Sequence, residues 1–403
     1  MNPVSSSMIP SLSSSTISNI HHQCISTFKD HSSYVFSLVI SGKFLYSGSS
    51  DKEILLHIAD PSSNSNQNLS SQSKVVAIGE FGSVKSLVIS GDKLFSAHQD
   101  HKIRVWQIPN NFSTPRDRKF KLLATLPTLT DRLLRFLPAK NYVQVRRHKK
   151  TTWVHHVDTI SALALSKDES LLYSVSWDRT LKIWRSSDFT CLESVNNAHD
   201  DAINALVCCK NGFVFTGSAD KKIKIWKNVI KESKSSNARK KKKHSVVAVL
   251  DTHKSAVNAL ALSTDGCVLY SGGCDCQILV WDITYTNDGD YEDNQSINMS
   301  LVGALKGHKR AVLCLSVISD LICSGSADKT VRIWRRINNG SSCSYSCLAV
   351  MEGHNGPVKC LTTTIEHNYS NSTTMITNNA YLIYSGSLDC SIKVWKILVP
   401  YSL

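Results

Sequence analysis

The chain has 403 residues, 42% of them hydrophobic as in ordinary soluble globular proteins, and no run of 18 apolar residues that could span a membrane as a helix. Lys and Arg number 46 against 32 Asp and Glu, a net charge of +14 whose meaning depends on where it is concentrated. The 13 cysteines, an odd number scattered singly, suit small packing residues in a reducing compartment and argue against a disulfide frame.

Residues 1–20 are rich in Ser and hold neither Lys nor Arg, unlike a signal peptide with its basic start or a transit peptide with its arginines. A disordered tail is expected there, and the Asn-x-Ser/Thr sites further on are expected to stay unglycosylated. Residues 21–28 stand where later repeats carry an outer strand, as at 75–78, 246–250 and 348–351. The last repeat ends shortly after Trp395 without such a strand, so the N-terminal strand is expected to complete it and remove two open edges.

From His31 onward one figure returns. Its clearest copy is Ser324-Gly325-Ser326-Ala327-Asp328-Lys329-Thr330-Val331-Arg332-Ile333-Trp334, a strand, a tight turn and a second strand with β alternation. Aligned on the turn Asp, a Ser or Thr stands four residues before it and an aromatic residue or His six after. A further column, usually His, lies four residues ahead of a β-branched anchor. In chain order the first three sets are His31, Ser47, Asp51 and His57; then Glu80, Ser96, Asp100 and Trp106; then His156, Ser174, Asp178 and Trp184. The next two are His199, Thr216, Asp220 and Trp226, and His253, Ser271, Asp275 and Trp281. The last two are His308, Ser324, Asp328 and Trp334, and His354, Ser385, Asp389 and Trp395. Repeats 3 to 7 are complete. Repeat 1 has His57 for Trp and repeat 2 has Glu80 for His, so these two are expected to be less rigid. A His, Asp and Ser set invites a catalytic reading, but one active site copied in every repeat is implausible. A buried Asp and a buried indole each need a partner, which makes the set a structural network.

Five irregular inserts separate the repeats, at 59–73, 107–152, 227–244, 284–300 and 364–380. All are expected on one side of the disc, leaving the side with the His and Asp turns smooth. Residues 107–152 hold 11 Lys/Arg against 2 Asp, and 231–244 hold 7 against one Glu, so the basic character belongs to these loops and not to the ring. Within 107–152, Leu129, Leu133 and Leu137 recur at helical spacing, and residues 141–155 read as a hairpin turning at 148–150. No Asp-x5-Trp occurs there, so no eighth repeat is expected. The run Arg239, Lys240, Lys241, Lys242 and Lys243 is a nuclear-import candidate in a polar loop. Cys274-x-Cys276 and Cys208-Cys209 have no second pair at zinc spacing, so no metal is expected, and no cofactor.

These columns resemble the WD40 repeat over nearly the whole chain, 22–396. The resemblance implies an all-β, seven-bladed propeller closed by the N-terminal strand, spanning residues 21–403 and distributing its core between blades. The stretch from Ala124-Thr125-Leu126-Pro127-Thr128 through Val145-Arg146-Arg147-His148 looks like the insert of the plant JINGUBANG-type WD40 family, which implies a plant regulatory propeller without catalysis. The expected function is a scaffold for transcriptional or signalling protein partners in cytoplasm or nucleus, a single propeller within complexes, with direct nucleic-acid or membrane binding not expected. One alternative is a substrate receptor of a cullin-type ubiquitin ligase, but Trp281-Asp282-Ile283-Thr284 lacks the Arg that often follows in that class. Another is a nucleic-acid-associated propeller using the basic inserts. On the smooth face, the residue before each Asp points outward, and Trp177, Leu388 and Gln99 are the binding candidates, with Arg179 and Arg310 at the rim.

Overall fold

The computed structural model describes residues 9–12, 20–59, 74–77, 82–109, 120–136, 142–146, 149–231, 241–287, 295–339, 342–366 and 378–400. They form seven four-stranded antiparallel sheets and one two-stranded hairpin. Blades 1 to 6 occupy 35–77, 84–126, 160–195, 203–250, 257–306 and 312–351. Blade 7 takes 358–400 and borrows its outer strand from the N-terminus. That strand, His22–Phe28, runs antiparallel to Ile392–Pro400 with Phe28 opposite Ile392 and His22 opposite Ile397. The ring is therefore closed by main-chain hydrogen bonds between the two ends of the propeller.

The sequence dictates the burial pattern. Second strands such as Leu171–Ser176 and Leu321–Ser326 are apolar or small throughout and are buried along nearly their whole length, because both faces meet neighbouring blades. Seven apolar clusters fill the seven interfaces between adjacent blades, so no blade has a core of its own. The Gly after the tetrad Ser is part of this packing. A Cβ on Gly325 would stand 2.7 Å from the Val358 side chain, and one on Gly386 2.7 Å from Val35, so Gly admits the next blade's β-branched anchor.

The structure revises several boundaries. Lys121–Leu126, assigned above to a long insert, is the outer strand of blade 2, pairing from Gln107↔Lys121 to Ile103↔Leu126. Two other inserts are hairpin extensions for much of their length. Thr284–Asn287 pairs with Gln295–Asn298, and Val229, Ile230 and Lys231 pair with Lys243, Lys242 and Lys241. Main-chain pairing is indifferent to side-chain polarity, so polar sequence at a strand end hides the extension. The helix Leu129–Phe136 forms with Thr128 Oγ1 accepting from the Asp131 amide at 3.1 Å. The hairpin pairs Tyr142–Arg146 with Lys149–Thr152, so its turn precedes Lys149. Residues 9–12, read as tail, lie along blade 5 through a parallel bridge of Ser11 to Ala304. The remaining insert residues 60–73, 110–119, 232–240, 288–294 and 367–377, with Glu80 and Leu137, lie outside the described residues.

Candidate interaction surface and the networks beneath it

In each blade the Asp occupies the turn between the second and third strands, and in every blade but the second a His precedes the inner strand on the same side of the disc. In blade 3, His156 Nδ1 is 3.1 Å from Asp178 Oδ2, its Nε2 is 2.8 Å from Ser174 Oγ, and Trp184 Nε1 donates to that oxygen at 2.9 Å. Blades 4 to 7 repeat this chain of bonds. His199 reaches Asp220 and Thr216, both at 2.8 Å, and Trp226 donates to Thr216 Oγ1 at 2.8 Å. His253 reaches Asp275 at 2.9 Å and Ser271 at 2.8 Å, and Trp281 donates to Ser271 Oγ at 2.9 Å. His308 reaches Asp328 at 2.9 Å and Ser324 at 2.8 Å, with Trp334 donating to Ser324 Oγ at 2.9 Å. His354 reaches Asp389 at 2.9 Å and Ser385 at 2.7 Å, with Trp395 donating to Ser385 Oγ at 2.8 Å. Thr216 serves as well as the serines because only its hydroxyl enters the network. All five hydroxyl residues, Ser174, Thr216, Ser271, Ser324 and Ser385, are fully buried, so no water can take the place of a lost partner.

Burial lowers the pKa of His156, which stays neutral and donates from Nδ1. Burial alone would raise Asp178, but His156, Thr180 and the Val157 amide outweigh it and keep the carboxylate ionised well below its usual range.

Blades 1 and 2 are complete by other means. In blade 1, His31 joins Asp51 to Ser47, both at 2.8 Å. His57 Nε2 lies 3.0 Å from Ser47 Oγ, in the place of the indole, and its ring stacks on Phe28 of the closing strand at 4.8 Å. In blade 2, Trp106 donates to Ser96 Oγ at 2.9 Å and His98 Nε2 meets the same oxygen at 2.8 Å, while His98 Nδ1 donates to the Gly82 carbonyl at 3.0 Å. Arg104 grips Asp100 with two nitrogens, at 3.1 and 2.5 Å. The expectation of two less rigid blades therefore does not follow from their missing Trp and His. His98 and Arg104 went unnoticed because they stand in neighbouring columns. His98 is two residues from Ser96 and so shares its face of the strand.

The residue after each Asp adopts a left-handed backbone: Lys52, His101, Arg179, Lys221, Cys276, Lys329 and Cys390 have φ between 64° and 73°. Asp178 and Asp220 stabilise their turns by accepting the amides of Thr180 and Lys222 at 2.9 and 3.0 Å. A side chain is sterically strained in this conformation, so Lys221→Gly should stabilise the protein by up to about 1 kcal/mol, read as a higher urea midpoint.

This turn geometry aims five cationic or imidazole side chains, Lys52, His101, Arg179, Lys221 and Lys329, off the smooth face, all exposed. Lys309 and Arg310 add to them; Asp158, Asp200 and Asp201 are the exposed acids of the same loops in blades 3 and 4. Trp177 is 43% exposed, its backbone fixed by its amide donating a hydrogen bond to the Thr159 carbonyl at 3.0 Å. Gln99 and Arg310 are exposed on other blades, and Leu388 is half-buried. At the start of the innermost strands of blades 1, 2 and 7, Phe36, Lys85 and Lys359 each directly follow an anchor valine. The Lys85 ammonium sits 3.6 Å from the centre of the Phe36 ring, and burial together with Lys359 pulls its pKa down to about 8. Their place one residue past the anchor column is the signal that would have found them.

Of the basic run, Arg239 and Lys240 lie outside the described residues, and Lys241, Lys242 and Lys243 belong to the strand Lys241–Leu250. Among the described residues no group of three or more His, Cys, Asp or Glu could hold a metal ion. Nor is any helix there long and apolar enough to cross a membrane.

The model of the "WD domain, G-beta repeat" matches residues 22–57, 147–185, 189–227, 244–282, 299–335 and 345–396, more than half of the chain. Protein ROOT INITIATION DEFECTIVE 3 of Arabidopsis thaliana is 27% identical over 198 residues, 45% of this chain and 40% of its own length. Mitochondrial division protein 1 of Schizosaccharomyces pombe is 27% identical over 44% of this chain and 29% of its own. Zinc finger CCCH domain-containing protein 62 of Arabidopsis thaliana is 28% identical, covering 44% and 37%. The matches thus span less than half the length of these curated relatives. The WD40 β-propeller domain of Doa1 superimposes with a TM-score of 0.60 over 93% of this chain and 96% of that one, at 20% identity, a likeness of fold.

Proposed function

We propose, from the premise that this chain belongs to the WD40-repeat family, that it is a non-catalytic scaffold binding protein partners through its smooth face. Exposed Trp177 carries this reading: a large aromatic on a fixed turn can bury its area with little loss of conformational freedom. Arg179 beside it and the exposed Lys and Arg of the other turns favour a partner segment that joins an apolar residue to acidic ones, with Asp158, Asp200 and Asp201 placing the acidic part of that segment away from blades 3 and 4. The sequence from Ala124 to His148, which begins in the outer strand of blade 2, supports a plant regulatory role of the JINGUBANG type, with transcriptional or signalling partners, in cytoplasm or nucleus.

The test is affinity capture from plant extract with three full-length baits: wild type, Trp177→Ala with Arg310→Ala, and a variant with Lys240 to Lys243 changed to Ser. The first variant is expected to lose partners at unchanged melting temperature, with affinity down by roughly 30-fold, as for loss of a hot-spot aromatic. Loss confined to the lysine variant would sink the smooth-face reading and favour import machinery or nucleic acid.

A further inference from the structure

The rim of the disc holds a second feature, independent of the smooth face. Residues 9–12, Ile-Pro-Ser-Leu, lie beside the outer strand of blade 5, Gln295–Lys306. The Leu12 amide donates to the Ala304 carbonyl and the Ala304 amide donates to the Pro10 carbonyl, both at 2.9 Å. Pro10 has no N–H to offer, and an edge position is where a strand tolerates that.

The groove is shaped for this backbone. The nearest atoms that a Cβ on Gly303 would meet all belong to the segment: Leu12 Cγ at 2.7 Å, Pro10 O at 2.8 Å and Leu12 Cδ2 at 3.0 Å. A Cβ there would therefore meet the segment first. The two apolar residues part company. Ile9 packs on the cluster between blades 4 and 5, and Leu12 on the cluster between blades 5 and 6, while Ser11 remains exposed. Further along, Ile20 packs on the cluster between blades 6 and 7, just before His22–Phe28 completes blade 7. Ile9, Leu12 and Ile20 thus lie on three successive blade interfaces.

We propose that the outer edge of blade 5 is a docking site for an extended peptide of the pattern apolar–Pro–polar–apolar, occupied by residues 9–12 until a partner's peptide of that pattern displaces them. Strand addition supplies affinity through the main chain and specificity through side-chain pockets, here the two inter-blade clusters that receive Ile9 and Leu12. The contact made by the chain itself is short: two main-chain hydrogen bonds and two half-buried side chains. It is held by tethering, at an effective concentration of roughly millimolar order, so a partner peptide displaces it by binding the groove much more tightly than residues 9–12 do on their own. The serine between Pro10 and Leu12 touches no apolar cluster, so the pattern leaves that position open to any polar residue.

The probe is a fluorescent peptide spanning residues 7–14, Ser-Met-Ile-Pro-Ser-Leu-Ser-Ser, titrated against three full-length proteins. These are wild type, Ile9→Asp with Leu12→Asp to expel the segment, and that double variant with Gly303→Val to fill the groove. The double variant should bind the peptide at least about tenfold more tightly than wild type, and Gly303→Val should abolish binding without lowering the melting temperature. Hydrogen exchange at the Ala304 amide provides the second readout: slow in wild type, fast in the double variant, slow again with peptide. No binding to the double variant, binding that survives Gly303→Val, or Ala304 exchange indifferent to the double substitution would each overturn the proposal.

Discussion

Asp178→Ala is expected to lower the stability of the propeller by about 1–3 kcal/mol, the usual cost of leaving buried donors without their acceptor. The carboxylate accepts from His156 Nδ1, from the Val157 amide at 2.8 Å and from both the amide and hydroxyl of Thr180. Its side chain is 2% exposed and that of His156 1%, so water does not replace what is lost. With the acceptor gone, His156 loses the bond that fixes its tautomer, and the bonds through Ser174 to Trp184 lose their anchor. Chemical denaturation should show the shift. Asp201→Ala, on an exposed loop of the neighbouring blade, should leave the midpoint in place.

Stability should also fall steeply on acidification below about pH 6.5, the unperturbed histidine value. Burial lowers the pKa of His57 and His98 to about 4 and lowers those of His156, His199 and His354. A group whose folded pKa is depressed contributes stability above its unfolded pKa and loses it as pH falls toward the folded one. Below about pH 6.5 the unfolded chain takes up protons that the folded chain refuses. Each such histidine then costs about 1.4 kcal/mol per pH unit, for His57 and His98 down to about pH 4. The seven turn aspartates, all depressed, have the same sign and add their loss at more acidic pH, below their unfolded value of about 3.9. Denaturation midpoints measured from pH 8 to pH 4 should therefore be flat at first and then drop. His57→Gln, which keeps a donor for Ser47, should reduce the slope by one histidine's worth. A midpoint unchanged between pH 7 and pH 5 would mean that the buried histidines take up protons in the fold as readily as in the unfolded chain, and would contradict this account.

The propeller was legible because its polar network repeats. An Asp four residues after a Ser or Thr and six before a Trp, or before His57 in the first copy, fixes a strand, a turn and a strand, and seven copies fix a ring. The closing strand could be placed because the last repeat lacked one. What escaped was any function supplied from a neighbouring column. His98 and Arg104 complete blade 2 from positions no other repeat uses, and His57 stands in for an indole because either ring can donate to Ser47. Strand extensions such as Thr284–Asn287 escaped because main-chain pairing leaves little mark on polar side chains. The character of the smooth face was half visible. Trp177 stood out by type, but the cationic rim depends on five of the seven left-handed turn residues, whose direction only backbone geometry reveals. Net charge concealed it, since the excess lies in two inserts while the ring as a whole is nearly neutral.

The most direct test of the scaffold account places a photo-crosslinking amino acid at Arg179, on the exposed smooth-face turn beside Trp177, or at Lys167, on the exposed opposite turn of the same blade. Both full-length proteins are illuminated in plant extract and their adducts identified by mass spectrometry. Smooth-face binding predicts protein adducts from position 179, suppressed by Trp177→Ala, and few from position 167. Adducts confined to position 167 would contradict it and move the partner surface to the opposite face.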